Sequence, residues 1–381
     1  MNGNSKEKLA ALRIEIDDLD RQLIGLFKQR MEVSESIARA KTEGNMSVVD
    51  LAREQKVIET AIARTNGQRP AETIAFMQMM MSLSKIRQNE YMHLSDPADI
   101  PAPEQWKREN VRVGFQGVPG AWGEHGAQQL FPEAERVQHD YFEDVFMAVS
   151  EGAVDYGVVP IANSQTGAIG EVYDLLRKHN CYIVGEIWIA VAQCLLGVPH
   201  GKLADIREVY SHPEGFNQCR RFLKDRSWDL TACRNTAYAA KMVSEKGEAK
   251  YAAIGSRRAA QLHGLSILAP DIMDNPHNRT RFIAISAVPV YDDGSKTTAV
   301  TFSTAHQSGA LCSVLQTFML AGINLTRIES RPVTSDRYRF FVDLEANINS
   351  DTTQRALREA SVMCEYFEIL GCYATAEEHT L

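Results

Sequence analysis

The chain has 381 residues, 44% hydrophobic and 24% charged, with a formal net charge of −8. That length exceeds one hydrophobic core, the composition excludes a disordered chain, and the acidic balance disfavours nucleic acid or an anionic membrane as the main partner, because both need a basic surface. Seven scattered cysteines contain no Cys-x-x-Cys pair, as suits reduced thiols. The opening stretch MNGNSKEKLAALRIEIDDLD is broken by charges every few residues, so it carries no signal-peptide core or membrane span, and the expected location is cytoplasmic.

From Leu9 the apolar residues Leu9, Leu12, Ile16, Leu19, Leu23 and Leu26 alternate steps of three and four, the seam of a long helix packed on another helix. Running to about Lys41, this helix would be on the order of 50 Å long. The helices that follow cannot cover it alone, so a second subunit is expected there. Gly44 and Asn45 break the pattern, Asp50 can cap a second helix to about Arg64, and Pro70 stands where a third begins. An all-α domain over 1–94 follows.

Residues 95–110 carry three prolines and no amphipathic period, and read as a linker. Beyond them short apolar runs (VRVGF, DYGVVPI, YIVGEIWIAV, REVYS, YAAIGS, RFIAIS) alternate with helix-like segments. That predicts an α/β domain of largely parallel strands over 111–290. The tail, 297–376, reads as strand, helix, two strands, helix, strand, the order of a ferredoxin-like α+β domain. The fold class expected for the whole chain is therefore multidomain.

In the helical part, Arg30 and Lys41 are eleven residues apart, about three turns, so two cations share nearly one face and can flank a small ligand. Arg13 lies on another face and could reach the equivalent pocket of a partner subunit. Ser84 and Gln88 form an i, i+4 polar pair, whereas Met77, Met79, Met80 and Met81 read as core filling. The strings LRIEIDDLDRQLIGLFKQR and VVDLAREQ, with Lys41, Ser84 and Gln88, resemble the all-helical chorismate mutase family. The resemblance implies a dimer that rearranges chorismate to prephenate without a cofactor. It implies Arg13, Arg30 and Arg53 on the carboxylates, Lys41 and Gln88 on the ether oxygen, and Asp50, Glu54 and Ser84 around the ligand hydroxyl. Such residue types suit a Claisen rearrangement, which needs a compact conformer and stabilised charge on the breaking ether bond rather than a nucleophile. The competing reading is a structural dimerisation coil with solvated cations.

The string VGFQGVPGAWGEHGA places five glycines between a strand and a helix, where backbone amides could cradle an anion. It matches neither a P-loop nor a dinucleotide fingerprint. Together with VVPIANSQTGAI, VYSHPEGFNQC, AAIGS and NRTRF, it resembles prephenate dehydratase. That resemblance implies two α/β lobes like a periplasmic binding protein, with prephenate between them. Thr280 would be the key catalytic residue, Asn163, Ser164, Thr166 and Ser211 would line the site, and Arg281 would hold a carboxylate or brace the loop. No metal or redox cofactor is implied, and His212 before Pro213 reads as a turn residue. Ala162, Trp122-Gly123 and Glu214 depart from the family pattern of glutamate, aromatic-Ser/Thr and glutamine.

The tail string SGALCSVLQTFMLAGINLTRIESRP resembles the ACT domain attached to such dehydratases. L-Phenylalanine is then the implied effector, flanked by Gly309, Ala310 and Leu311, with Asn324, Leu325, Glu329, Ser330 and Arg331 forming or supporting the rest of the pocket. A homodimer or higher oligomer is expected. Two alternatives stay open: a mutase fused to a non-catalytic sensor, and a dehydratase or decarboxylase shifted to arogenate.

Overall fold

The computed structural model describes residues 3–92, 102–104, 109–291, 293–334 and 336–374. Most of the expected linker, and residues 375–376 of the expected tail domain, lie outside them. The chain divides into two compact units, one of Met1–Ile100, Ser303–Gly322 and Gln354–Phe367, the other of Pro101–Phe302, Ile323–Thr353 and Glu368–Leu381.

The first unit opens with α1 (Gly3–Glu43), α2 (Leu51–Arg64) and α3 (Pro70–Met92). Local chemistry sets their starts. The Asp50 carboxylate accepts the Arg53 amide at 3.0 Å, and Pro70 has no N–H to leave unpaired at the first turn. At 1.5 Å per residue α1 is roughly 60 Å long and α3 roughly 35 Å. Accordingly Ser34 and Ala38 of α1 are buried, whereas Leu9, Leu12, Ile16, Leu19, Leu23 and Leu26 stay 47% to 62% exposed. The apolar stripe that reads as a helix seam is a bare face of the single chain.

The second unit begins with β1 (Arg112–Gln116), α4 (Trp122–Leu130), β2 (Glu135–His139), α5 (Phe142–Ser150), β3 (Tyr156–Asn163), β4 (Gly167–Ala168), α6 (Gly170–Lys178) and β5 (Tyr182–Ala190). A second lobe follows: β6 (Cys194–Gly197), β7 (Glu208–Ser211), α7 (Pro213–Gln218), α8 (Arg220–Leu223), β8 (Asp229–Ala232), α9 (Thr236–Lys246), β9 (Tyr251–Gly255), α10 (Arg257–Leu262) and β10 (Ser266–Ala269). The chain then returns to the first lobe as β11 (Arg279–Ser286). Sheet orders are β2-β1-β3-β11-β5, with β4 beside β3, and β10-β6-β9-β7-β8. The two crossings between lobes are tied to their surroundings by Val191 N to Asn278 O and Ile272 N to Gln193 O, each 2.9 Å.

Largely parallel sheets were the expectation, and that is corrected. β1-β2, β1-β3, β7-β8 and β7-β9 are parallel, but β11 runs antiparallel to both β3 and β5, and β6 to both β9 and β10. The reason is the double crossing: a strand that re-enters a lobe from its neighbour arrives from the opposite end. Val158, Val159, Ile161, Ile283 and Ile285 are buried, the unbroken apolar runs of a sheet covered on both faces.

The tail forms β12 (Thr297–Ser303), α11 (Ala310–Leu320), β13 (Leu325–Pro332), β14 (Tyr338–Leu344), α12 (Asp351–Val362) and β15 (Tyr366–Tyr373), with sheet order β13-β14-β12-β15. Its strands thus stand in the order second, third, first, fourth, that of a ferredoxin-like fold. Within the second unit, Ala299, Phe341, Leu370 and Tyr373 of this sheet share a core with Val172, Tyr173 and Ile183. Gly371 makes that approach possible, since a Cβ there would sit 2.0 Å from the Ile183 carbonyl oxygen.

In the first unit, Glu359 of α12 is 8% exposed. Burial, and then Glu90 of α3, which shares a hydrogen bond with it, push its carboxyl up to about 7 against the opposing charges of Arg355 and Arg358. The folded chain therefore keeps a proton that the unfolded chain releases from about pH 4.5 upward, so this contribution is complete below that pH and declines as pH rises through about 7. Glu359→Gln is expected to flatten the pH dependence of the urea midpoint over this window. An unchanged slope would remove Glu359 as its source.

Candidate active sites

A cavity of about 420 Å³ opens among α1, α2 and α3, and Arg30, Lys41, Asp50, Arg53, Glu54, Ser84 and Gln88 all line it. Of the predicted mutase set only Arg13 is elsewhere, exposed on the N-terminal part of α1. Helical spacing explains the convergence, because Arg30, Ser34, Ile37 and Lys41 return to one face of α1 every three or four residues. Arg30 donates to the Met80 carbonyl at 2.6 Å and to the Ser84 hydroxyl, while Ser34 Oγ lies 3.0 Å from Ser84 Oγ. Lys41 Nζ donates to the Val48 carbonyl at 2.6 Å, which folds the loop after α1 back over the cavity. Burial lowers the pKa of Arg30, yet from so high an ordinary value that the guanidinium stays charged. The Gln88 side-chain oxygen is buried with no hydrogen-bond partner among the described residues, so it is available to a donor from a ligand or water.

Two polar lining residues escaped the sequence reading. Lys85 pairs with Glu54 at 3.2 Å, and Ser34 supports Ser84; the i+4 spacing from Arg30 was a signal for Ser34 alone. Along α2 and the start of α3 runs a larger groove of about 1130 Å³ that shares Arg30 and Arg53 with the cavity and adds Arg64, Arg69 and Glu72. Size alone would favour it, but it gathers only two of the predicted residues, and the smaller cavity is the better site.

In the second unit the chemistry collects where β3 and β11 end side by side, Thr280 standing opposite Asn163. Backbone amides of Gln165 and Thr166 donate to Asn163 Oδ1 at 2.9 and 3.2 Å. This turn fixes which end of the Asn163 amide is oxygen, and therefore which end donates. Asn163 Nδ2 donates to Thr280 Oγ1 at 2.9 Å and to Asn278 Oδ1 at 2.8 Å. Its oxygen already accepts, and Thr280 donates no hydrogen bond among the described residues, so its own proton can be given to a ligand. Ser164 accepts the Arg279 amide at 2.9 Å, and the Ser164 amide donates to the Arg279 carbonyl at 2.8 Å, which locks the two strand ends together. Thr166 contributes its backbone to the turn and has an exposed side chain. Asn278 was missed: it is 1% exposed and its side-chain nitrogen has no partner among the described residues, a donor held beside Thr280.

Three expectations change here. Ser211 was placed among the lining residues, but it is fully buried in the second lobe and its hydroxyl donates to the Ile254 carbonyl at 3.2 Å; it ties β7 to β9, and no hydrogen bond among the described residues joins it to Thr280. In the glycine-rich loop, Gly120 N donates to Glu124 at 2.8 Å and Gly117 N to the His139 carbonyl at 2.8 Å, so the proposed anion cradle is partly filled by the protein's own groups. Gly123 is explained by packing, since a Cβ there would lie 2.7 Å from the Gln116 carbonyl oxygen.

The Arg281 guanidinium is engaged by the protein's own groups. It is 4% exposed; Nε donates to Glu186 at 2.6 Å, one terminal nitrogen to Asp343 at 2.6 Å and the other to the Tyr373 hydroxyl at 2.7 Å. Burial opposes its charge, but Tyr373, Asp343 and Glu186 together hold its pKa above the ordinary value. Glu186 is raised by burial, partly offset by Arg281, as expected when one guanidinium serves two carboxylates. Breaking such a pair on one side costs about 3–5 kcal/mol. Ala162 lies directly across from Arg281 in the β3-β11 register.

Of the expected effector residues, Gly309 precedes α11 in the left-handed region at φ 84°, followed by half-buried Ala310 and Leu311, all in the first unit. Asn324 donates to Glu345 at 3.1 Å in the second unit, where Leu325 opens β13 and Glu329, Ser330 and Arg331 pair with Phe341, Phe340 and Arg339. Arg331 packs against α6 at Gly170, 3.9 Å from Asp174.

Residues 12–89 match the family model described as chorismate mutase type II, and residues 113–289 the one described as prephenate dehydratase. These matches define the class: a chorismate mutase domain joined to a prephenate dehydratase domain. The chain is 31% identical to the bifunctional chorismate mutase/prephenate dehydratase of Escherichia coli (strain K12), covering 97% of each chain. It is 39% identical to arogenate dehydratase/prephenate dehydratase 1 of Arabidopsis thaliana over 69% of this chain and 72% of that one. A crystal structure of prephenate dehydratase in complex with L-Phe from Arthrobacter aurescens matches at 28% identity and TM-score 0.64, covering 71% of this chain and 92% of that one. The chain belongs to the bifunctional chorismate mutase/prephenate dehydratase family.

Thr280→Val keeps the shape and removes the hydroxyl, so the dehydratase kcat is expected to fall about 100-fold or more, in line with losing one transition-state donor. Thr280→Ser should retain much of it. Steady-state assay of prephenate consumption checks this, and a Val variant within a few-fold of wild type would remove Thr280 from the chemistry.

Proposed function

We propose that the two sites carry consecutive steps of L-phenylalanine biosynthesis. The helical cavity rearranges chorismate to prephenate, and the Asn163–Thr280 site converts prephenate to phenylpyruvate. The observation that carries this reading is the convergence of Arg30, Lys41, Arg53, Ser84 and Gln88 on one cavity of about 420 Å³.

Chorismate is a dianion, and the cavity sets Arg30, Lys41, Arg53 and Lys85 against Asp50 and Glu54, a cationic surplus suited to it. Arg30 and Arg53 hold the carboxylates, with Arg13 reaching in from a second copy whose helix covers the bare stripe on α1. Lys41 and Gln88 address the ether oxygen as its bond breaks, and Asp50, Glu54 and Ser84 fix the hydroxyl end. In the second step the bond from the ring to the carboxylate breaks and releases carbon dioxide. Its electron pair aromatises the ring and expels the ring hydroxyl, which takes up a proton and leaves as water. Thr280, its oxygen held by Asn163, donates its hydrogen bond to that departing oxygen.

The tail acts as an ACT sensor that binds phenylalanine and slows the dehydratase, a reading supported by its strand order and by the relative crystallised with L-Phe. Gly309, Ala310 and Leu311 at the start of α11 are the residues that would flank the amino acid. The enzyme is a cytoplasmic homodimer or a higher homo-oligomer. Similarity to the Arabidopsis arogenate/prephenate dehydratase favours arogenate as a second substrate, although a mutase site on the same chain supplies prephenate.

Purified protein given chorismate should accumulate phenylpyruvate, less when phenylalanine is added, as read by mass and ultraviolet spectrum. Unconverted prephenate would overturn the second step, and arogenate turned over with the higher kcat/KM would reverse the substrate preference. Arg30→Ala is expected to lower mutase kcat/KM by about 100-fold or more and leave turnover of supplied prephenate unchanged.

A further inference from the structure

We propose that Arg281 is a positioning residue for the dehydration step, which transmits the placement of the C-terminal sheet to Thr280. The inference rests on the dehydratase reading of Thr280. Adjacent on β11, Thr280 and Arg281 point to opposite faces of the sheet. On one face Thr280 meets the Asn163 amide at 2.9 Å. On the other the Arg281 guanidinium is gripped by Glu186 of β5, Asp343 of β14 and Tyr373 of β15.

The backbone ladder holds β11 evenly on one side only. Its register with β5 runs unbroken from Arg279 to Ala284, whereas its register with β3 shifts between Arg281 and Phe282, an irregularity of the kind that re-aims a side chain, so on the Asn163 side a side-chain anchor adds to what the ladder fixes. A buried guanidinium that loses one carboxylate is driven toward water, and β11 moves with it. Space for that movement exists, because Arg281, Glu186 and Asp343 themselves line a cavity of about 550 Å³, together with Asn163, Trp188 and Arg327.

A second path runs from the same hairpin. Asp343 pairs in register with Arg327 of β13, whose guanidinium lies 5.6 Å from the Tyr173 ring centre. Tyr173 is on α6, which begins shortly after the Asn163–Thr166 turn. The β13-β14 hairpin therefore touches supports of both partners in the Asn163–Thr280 hydrogen bond.

The test uses full-length Asp343→Asn, with mutase activity as an internal check that the chain is folded. Dehydratase kcat is expected to fall about tenfold or more, as a misplaced group requires, with KM for prephenate and mutase kcat/KM held near wild type. Tyr373→Phe removes one hydrogen bond but keeps the ring, and should show the same kcat-only pattern more weakly; it decides the matter if Asp343→Asn loses mutase activity as well. Unchanged kcat in a folded variant, or a loss confined to KM, overturns the positioning role. A wild-type chain that does not consume prephenate would instead remove the dehydratase reading itself.

Discussion

A guanidinium withdrawn from water has to be matched by charge, and the burial of Arg281 between Glu186 and Asp343 sets the geometry around it. The three residues come from β11, β5 and β14, segments far apart in sequence. Their pairing links the strand that carries Thr280 to the tail sheet. Apolar contacts among Tyr173, Phe341, Leu370 and Tyr373 supply most of the driving force there, since burial of area is what stabilises such a contact. They are non-directional, however. The ion pairs add the direction.

The two active sites solve different problems with different secondary structure. For the rearrangement the task is to hold a flexible dianion in one compact shape, and helices present cations at fixed intervals along a rigid rod. For the dehydration the proposed task is to aim one hydroxyl, and at the end of a paired strand Thr280 is held by an amide whose own orientation is set by a backbone turn. Neither arrangement asks a side chain to titrate. In the first, burial lowers Arg30 without discharging it; in the second, the role proposed for Thr280 is a hydrogen bond whose direction follows from Asn163.

Where the structure departs from sequence expectation, packing is the cause. Ser211 sits in a string that reads as site-lining, yet a buried hydroxyl needs an acceptor and the Ile254 carbonyl is the near one. Likewise the glycines at 117 and 120 read as an anion cradle, but their amides are taken by His139 and Glu124. Asn278 was passed over because nothing in its spacing marks it. What singles it out is a buried amide whose oxygen is engaged and whose nitrogen has no partner among the described residues.

By itself the sequence determined the helical periodicity of α1, the cap at Asp50, the alternation of strands and helices beyond residue 110, and the side-chain types needed for both chemistries. These are local properties, set by the 3.6-residue repeat, by capping hydrogen bonds and by residue type. Strand direction was not local, because β11 belongs to a lobe the chain had already left. Nor was the fate of Arg281, whose neighbours in sequence, Thr280 and Phe282, say nothing of Glu186 or Asp343. Only the tertiary structure decided which polar groups were buried, and burial is what pairs the arginine beside Thr280 with two carboxylates distant in sequence.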